Sequence, residues 1–205
     1  MVLVFGESEY DTQFLAHVIR SFAPPGVEVD ARKTPPILIR DAKPSDLPGR
    51  ASRIAAIVRA AATDADVIAV VAHEDTDAVE PSHKEVNDKI VATLEGLSVK
   101  AVPAAAAWET EAWLMQWPHA IALYRPSWAS VEKYVGKNVG MIQNAKEDLT
   151  RSLRPRGRVA GVRDYRESDA PEIGAKVRDL GHFSAPRATS ASYADFLDKL
   201  RSAFH

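Results

Sequence analysis

Hydrophobic positions in the first half of the chain come as short runs separated by amphipathic stretches, the pattern left by a mostly parallel sheet covered with helices. Val2 to Phe5 is apolar throughout and predicts a first strand. After "GESEYD", Phe14, Leu15, Val18, Ile19 and Phe22 share one side of a predicted helix, which "APPG" ends. "VEVDARK" alternates and predicts a second strand, and a proline-bearing segment then leads to a helix carrying Ile54, Ile57, Val58 and Ala61. "DVIAVVA" is the most apolar run, so its strand is expected at the centre of the sheet. Val86, Ile90 and Leu94 recur every four residues and predict a third helix, leading into a fourth strand, "VKAVPAAA".

From Trp108 onward the pattern turns helical and aromatic. Trp113 and Trp117 stand one turn apart beside Leu114, a spacing that predicts core packing rather than base stacking. A helix is predicted over residues 130–153, and "SYADFLDKLRSAF" puts Tyr193, Phe196, Leu197 and Leu200 on one stripe that closes the core. The expected architecture is an α/β core over residues 1–112, an open, mostly parallel Rossmann-like sheet flanked by helices. A helical C-terminal extension over 113–205 packs on it.

Composition narrows the function. The 205 residues carry a formal charge of −2, so nucleic acid is expected to be held by a local basic patch rather than by global attraction, and no membrane partner is expected. With no cysteine, thiolate metal sites and disulfides are excluded, which suits a cytoplasmic protein. "MVLVFGESEY" lacks a basic leader and reads as a strand, not a signal peptide. "FGESE" has one glycine and no lysine, so any use of ATP is expected to come from a partner.

Acidic residues collect where strands end. Glu7 and Glu9 follow the first strand, Asp75 and Asp77 the third, and Glu109 and Glu111 the fourth. In open α/β sheets ligands bind beyond the carboxyl ends of the strands. Two carboxylates about 4 Å apart repel by about 4 kcal/mol at an effective dielectric near 20, so such a cluster protonates or takes up a cation. Oxygen ligands favour Mg2+ or Mn2+. Asp75 and Asp77 point the same way if the backbone is still extended there, and Glu111 is chosen over Glu109 because residues two apart on a helix face different sides. Glu74 and Glu80 are expected to be solvated or to cap the following helix, and His73 to bond backbone outside the site.

"LVFGESEYDTQFL", "VIAVVAHEDTD" and "AVPAAAAWETEAWLM" resemble, in order, the three signature regions of the Toprim fold shared by topoisomerases, primases and the overcoming-lysogenization-defect (OLD) nucleases. "ETEAWLM", "DYRESDAPEIGAKV" and "SYADFLDKL" more closely resemble an uncharacterised bacterial Toprim-like family often found beside ABC-type or AAA ATPases in phage-defence settings. The resemblance implies a Mg2+-dependent nuclease acting on DNA or RNA, with Asp75 and Asp77 on the aspartate pair and Glu111 on the glutamate before the Trp-Leu pair. The family's first glutamate falls on Phe5; Glu7 would substitute for it, and Glu9 matches a second acidic position. Losing that glutamate leaves open a non-catalytic interaction or regulatory subunit that kept the fold.

The stretch "RSLRPRGRVAGVRDYR" supplies Arg154, Arg156, Arg158 and Arg166 as candidate phosphate contacts, or else an arginine-bearing connector. Arg166 follows Tyr165 as a basic residue follows a tyrosine in the resembling family.

Overall fold

The computed structural model describes residues 1–32, 38–155 and 162–205. Strands β1 (Val2–Phe5), β2 (Val29–Arg32), β3 (Ala69–Asp75) and β4 (Lys100–Ala106) form one open, all-parallel sheet in the order β2-β1-β3-β4. This is an α/β architecture of the Rossmann-like kind, with the apolar third strand inside the sheet as its composition predicts.

Alternation along each strand divides the core. Val2 and Val4, Ala69 and Val71, and Val102, Ala104 and Ala106 lie on the same face of the sheet as helix α1 (Glu9–Phe22), whose Phe14, Leu15, Val18 and Ile19 belong to the same buried cluster. Leu3, Phe5, Val70 and Ala72 face the other way, toward α2 (Leu47–Ala61) and α3 (His83–Leu94), meeting Ile54, Val58, Val86 and Ile90. The α1 side continues through α4 (Thr110–Leu114), α5 (Pro118–Tyr124), α6 (Ala145–Leu153), α7 (Ala170–Asp179) and α8 (Ala191–Ala203), which share one apolar cluster with the sheet. Trp113 stacks on Phe196 at 5.4 Å and donates its indole N–H to Ser192 Oγ, while Trp117 donates to the His182 carbonyl. Both indoles are fully buried with their polar atoms satisfied, which is a structural role.

The outer edge of β4 is closed against further strands. Pro103 has no N–H to offer, Ala105 donates to Asn87 Oδ1 at 3.1 Å, and Ala107, just past the strand, donates to Ser192 Oγ at 3.2 Å. At the opposite edge β2 is only four residues long and carries an Asp30–Arg32 ion pair.

Two expectations need correction. Residues 130–153 do not form one helix: they fold as 3₁₀ turns at Glu132–Tyr134 and Val139–Met141, followed by α6. Gly136 sits at φ +72°, its N–H bonds the Arg187 carbonyl, and Val139 N and Lys137 O pair with Thr189, so the backbone bonds a helix would use are spent on a distant segment. Nor is Glu80 solvated or capping the following helix. It is buried, accepting from Ser190 Oγ, Ser192 N and Asn138 Nδ2 at 2.8, 2.9 and 3.1 Å, and so it caps α8, far along the chain.

Gly140 lies flat against that carboxylate. A Cβ there would fall 2.0 Å from Glu80 Oε1, whereas one at Gly49 in α2 would meet nothing within 4 Å. Gly140→Ala is therefore expected to displace Glu80 from its donors and lower stability by roughly 1–3 kcal/mol, the cost of a buried polar group losing its bonds. Gly49→Ala should leave stability unchanged or raise it by up to about 1 kcal/mol. Thermal denaturation of the two variants checks both, and equal melting temperatures would contradict this account of Gly140.

Candidate functional site

The strand order reverses between β1 and β3, so the crevice expected in an open α/β sheet opens at their carboxyl ends. Glu7 and Asp75 meet there. The Asp75 backbone N–H donates to Glu7 Oε1 at 3.1 Å, bridging the switch point.

Beyond Asp75 the chain is no longer extended. Thr76 N donates to the Ala106 carbonyl, Asp77 N to the Trp108 carbonyl and Trp108 N to the Ala78 carbonyl, so the loops after β3 and β4 are zipped together past the strands. Asp77 and Trp108 take left-handed backbone conformations, at φ +49° and +60°, and for a tryptophan that is an uncommon and costly state. The zipped loops deliver Thr110, at the start of α4, to Asp75, and Thr110 N donates to Asp75 Oδ1 at 3.1 Å.

Asp75 stands among other acids. Burial raises its pKa well above the ordinary carboxylate value, and the charges of Asp11, Glu7, Glu111 and Glu109 push the same way. Glu7 is also raised, chiefly by burial, against the opposing pull of His73, the Asp75 N–H and Arg40. Glu111 is pushed up to about 7, by burial first and then by Glu109, although Tyr165 donates to its Oε1 at 3.0 Å. Tyr165 itself is buried, and both that burial and the Glu111 charge keep its hydroxyl protonated. On the outer side Lys146 donates its backbone N–H to Glu109 Oε2, and its Nζ lies 3.6 Å from Glu109 Oε1 and 3.0 Å from Glu167. Although burial opposes it, the bond to Glu167 and the nearby carboxylates hold Lys146 above the usual lysine pKa.

Of the residues expected at the site, Glu7 meets Asp75 through the Asp75 N–H and Glu111 lies near enough for its charge to raise the Asp75 pKa, whereas Asp77 turns away. The turn sends Asp77 outward, where its exposed carboxylate pairs with Arg40 at 2.8 Å. Glu9 lies in the first turn of α1, where its carbonyl accepts the Thr12 hydroxyl. Position 5 faces the apolar cluster under α2 and α3, fully buried with Ile39 and Ile54, so a glutamate there would point away from Asp75. Glu74 is not solvated either: its buried carboxylate accepts the N–H groups of Ile39 and Arg40 and pins that segment across the α2–α3 face. Arg154 and Arg166 are exposed on the α6 side of the site, Arg154 held in a bidentate pair with Asp164, while Arg156 and Arg158 lie outside the described residues.

His73 belongs at the centre rather than outside. It is fully buried beneath Asp75, with Nε2 3.0 Å from Thr110 Oγ1 and 3.5 Å from Asp75 Oδ1, and its bond is to a side chain rather than to backbone. Its Nδ1 has no partner among the described residues. Asp11 was signalled by the spacing Ser8-x-x-Asp11, since the two form a reciprocal cap at the start of α1. Nothing local signals Lys146, and the resemblance marks Tyr165 only as the tyrosine before Arg166; both arrive from the far half of the chain.

Carboxylate oxygens suit a hard divalent cation, so the chemistry of the donors fits Mg2+ or Mn2+. Among the described residues, however, no group of three or more His, Asp or Glu side chains is close enough to hold an ion as it stands. Also among them, no helix is long and apolar enough to cross a membrane. The chain is thus an open parallel α/β protein with an acidic centre at its topological switch point. Comparison with protein-family models, curated proteins and solved structures finds no match.

Because Glu111 is raised in the folded state, that state holds a proton which the unfolded chain has lost between pH 4.5 and about 7, and stability falls as pH rises through that window. Glu111→Gln should flatten the profile and gain up to about 3 kcal/mol relative to wild type at pH 8, with little difference at pH 4.5. Urea denaturation at the two pH values reads this directly. A profile as steep in the variant as in the wild type would contradict it.

Proposed function

We propose that the chain is a Toprim-like, metal-dependent nuclease, or a subunit derived from one, acting on phosphodiester bonds of DNA or RNA. The observation that carries this reading is Asp75 at the switch point, bonded to Glu7 through its N–H and raised in pKa by the charges of Glu7 and Glu111, beside a wall that bears Lys146, Arg151, Arg154 and Arg166. Acids that raise one another's pKa and cations beside them are what cleavage of a phosphodiester needs on its two sides: charge to bind metal, and charge to bind phosphate.

Asp75, Glu7 and Glu111 would hold Mg2+ or Mn2+. Such an ion, when bound, supplies an activated water and stabilises the leaving oxygen. The chain's own groups do the rest. Thr110 N fixes one oxygen of Asp75, Tyr165 fixes one of Glu111, and the Asp75 N–H fixes one of Glu7, so each carboxylate has one oxygen held by the protein. Lys146 ties the acidic centre to the basic wall through Glu109 and Glu167. An ABC- or AAA-type ATPase partner, as in the phage-defence settings of the resembling family, would supply any ATP dependence.

A second reading, a non-catalytic interaction or regulatory subunit, draws support from Phe5. Its ring fills the apolar cluster on the opposite face of the sheet, so the position of the resembling family's first glutamate is used for packing.

Purified protein is expected to cleave DNA or RNA with Mg2+ or Mn2+, and Asp75→Asn to abolish the activity. Glu7→Gln should lower it by roughly 10-fold to 100-fold, and Asp77→Asn by far less, since its carboxylate serves Arg40. Phe5→Glu would bury a charge among Leu3, Ile39 and Ile54 and should destabilise the fold without raising activity. Gel-based cleavage assays with both metals test the set. An inert wild type, alone and with an ATPase partner, would remove the nuclease reading and leave the interaction subunit.

A further inference from the structure

Next to the acidic centre lies a solvent-open cavity of about 720 Å³, lined by Tyr10, Lys146, Arg151, Arg154, Tyr165 and Arg166. It shares a wall with the acids: Tyr165 lines it while donating to Glu111, and Lys146 lines it while touching Glu109. Two carboxylates, Glu147 and Glu167, also line it, and Glu167 is neutralised by Lys146 at 3.0 Å. Of the arginines, Arg154 is occupied by Asp164, whereas the exposed Arg151 and Arg166 make no side-chain hydrogen bond among the described residues. Two exposed guanidinium groups, Arg151 with Asp148 as a nearby charge, and a half-buried tyrosine in one concavity match the two parts of a nucleotide, phosphate and base.

We propose that this cavity receives one unpaired nucleotide of a single-stranded nucleic acid, its phosphate on Arg151 and Arg166 and its base against Tyr10. The strand's next phosphodiester then lies at the shared wall with Glu111. The assignment rests on the phosphodiester reading above and adds the substrate class: single-stranded rather than duplex. A duplex keeps its bases stacked and paired and presents only backbone to the rim, so it would leave the cavity and the ring unused. The cavity's volume falls within the range of pockets that enclose small ligands, the size of one nucleotide rather than of a helix.

The test is fluorescence anisotropy in EDTA, which reads binding with no cleavage, using a labelled single-stranded DNA of about 12 nucleotides and the same sequence as duplex. The single strand is expected to bind at least about 10-fold more tightly than the duplex. Arg151→Ala with Arg166→Ala should weaken single-strand binding by about 10-fold or more and reduce the salt dependence by roughly 0.7 per lost phosphate contact. Tyr10→Leu should weaken it by about 10-fold with the salt dependence unchanged, because stacking releases no counterions. Circular dichroism melts confirm that each variant folds, and both arginines are exposed. Equal or tighter binding of duplex, or single-strand binding indifferent to the arginine pair, overturns the proposal. Metal-free binding through Arg151 and Arg166 without any cleavage under Mn2+ would refute the nuclease reading and leave this assignment standing, and duplex-preferring cleavage would do the reverse.

Discussion

The cost of keeping carboxylates out of water at the end of β3 governs how the rest of the chain is arranged around it. Four acids stand within seven residues, and each is dealt with differently. Glu74 faces α2 and α3 and is held by two backbone N–H groups, which organises the segment around Ile39. Asp77 is turned outward onto Arg40. Glu80 is drawn inward and surrounded by the hydroxyl, amide and backbone donors of two remote loops. Only Asp75 keeps acids as its close charged company, along with a histidine 3.5 Å away. Three of the four are structural solutions to one electrostatic problem, and the fourth is left unsolved, the condition expected where stability has yielded to function.

That division explains what could be read from sequence and what could not. The sheet was legible because each strand's apolar run and each covering helix's periodicity are local signals, and the switch point follows from the order of strands. The places of Glu7, Asp75 and Glu111 at or beyond strand ends were legible for the same reason, since a strand's end can be located along the chain. Asp77 was misplaced because pointing alongside Asp75 requires extended backbone, and the left-handed turn that prevents it is stabilised by Trp108, thirty-one positions away. The segment 130–153 was misread because its helical composition is outweighed by backbone bonds to residues 187–189. Lys146 carries no local mark, and Tyr165 is marked only as the residue before Arg166 in the resembling phrase: what makes them part of the site is whom they touch.

Rigid elements and irregular ones share the work of the site. β3 and the starts of α1 and α4 fix Asp75, Asp11 and Glu111, whereas the cations come from α6 and the segment after it, on the other side of a solvent-open cavity. Lys146 and Tyr165 both line that cavity and contact the acidic glutamates, so one ammonium group and one phenol link the charges of the two halves. A change in protonation on either side of that wall is felt on the other.

Ser192 shows how late this assembly closes. Its hydroxyl accepts the Ala107 N–H and the Trp113 indole N–H, and its own backbone N–H serves Glu80, so three groups from the middle of the chain depend on the first turn of the last helix. During synthesis those groups leave the ribosome some eighty or more residues before their partner does. Until α8 docks, a nascent chain carries a carboxylate short of two of its donors, an unsatisfied indole N–H and an unpaired Ala107 N–H just past β4. A chain cut short within the last turn of α6 would have Glu80 but neither Ser190 nor Ser192, two of the three residues that donate to its buried carboxylate.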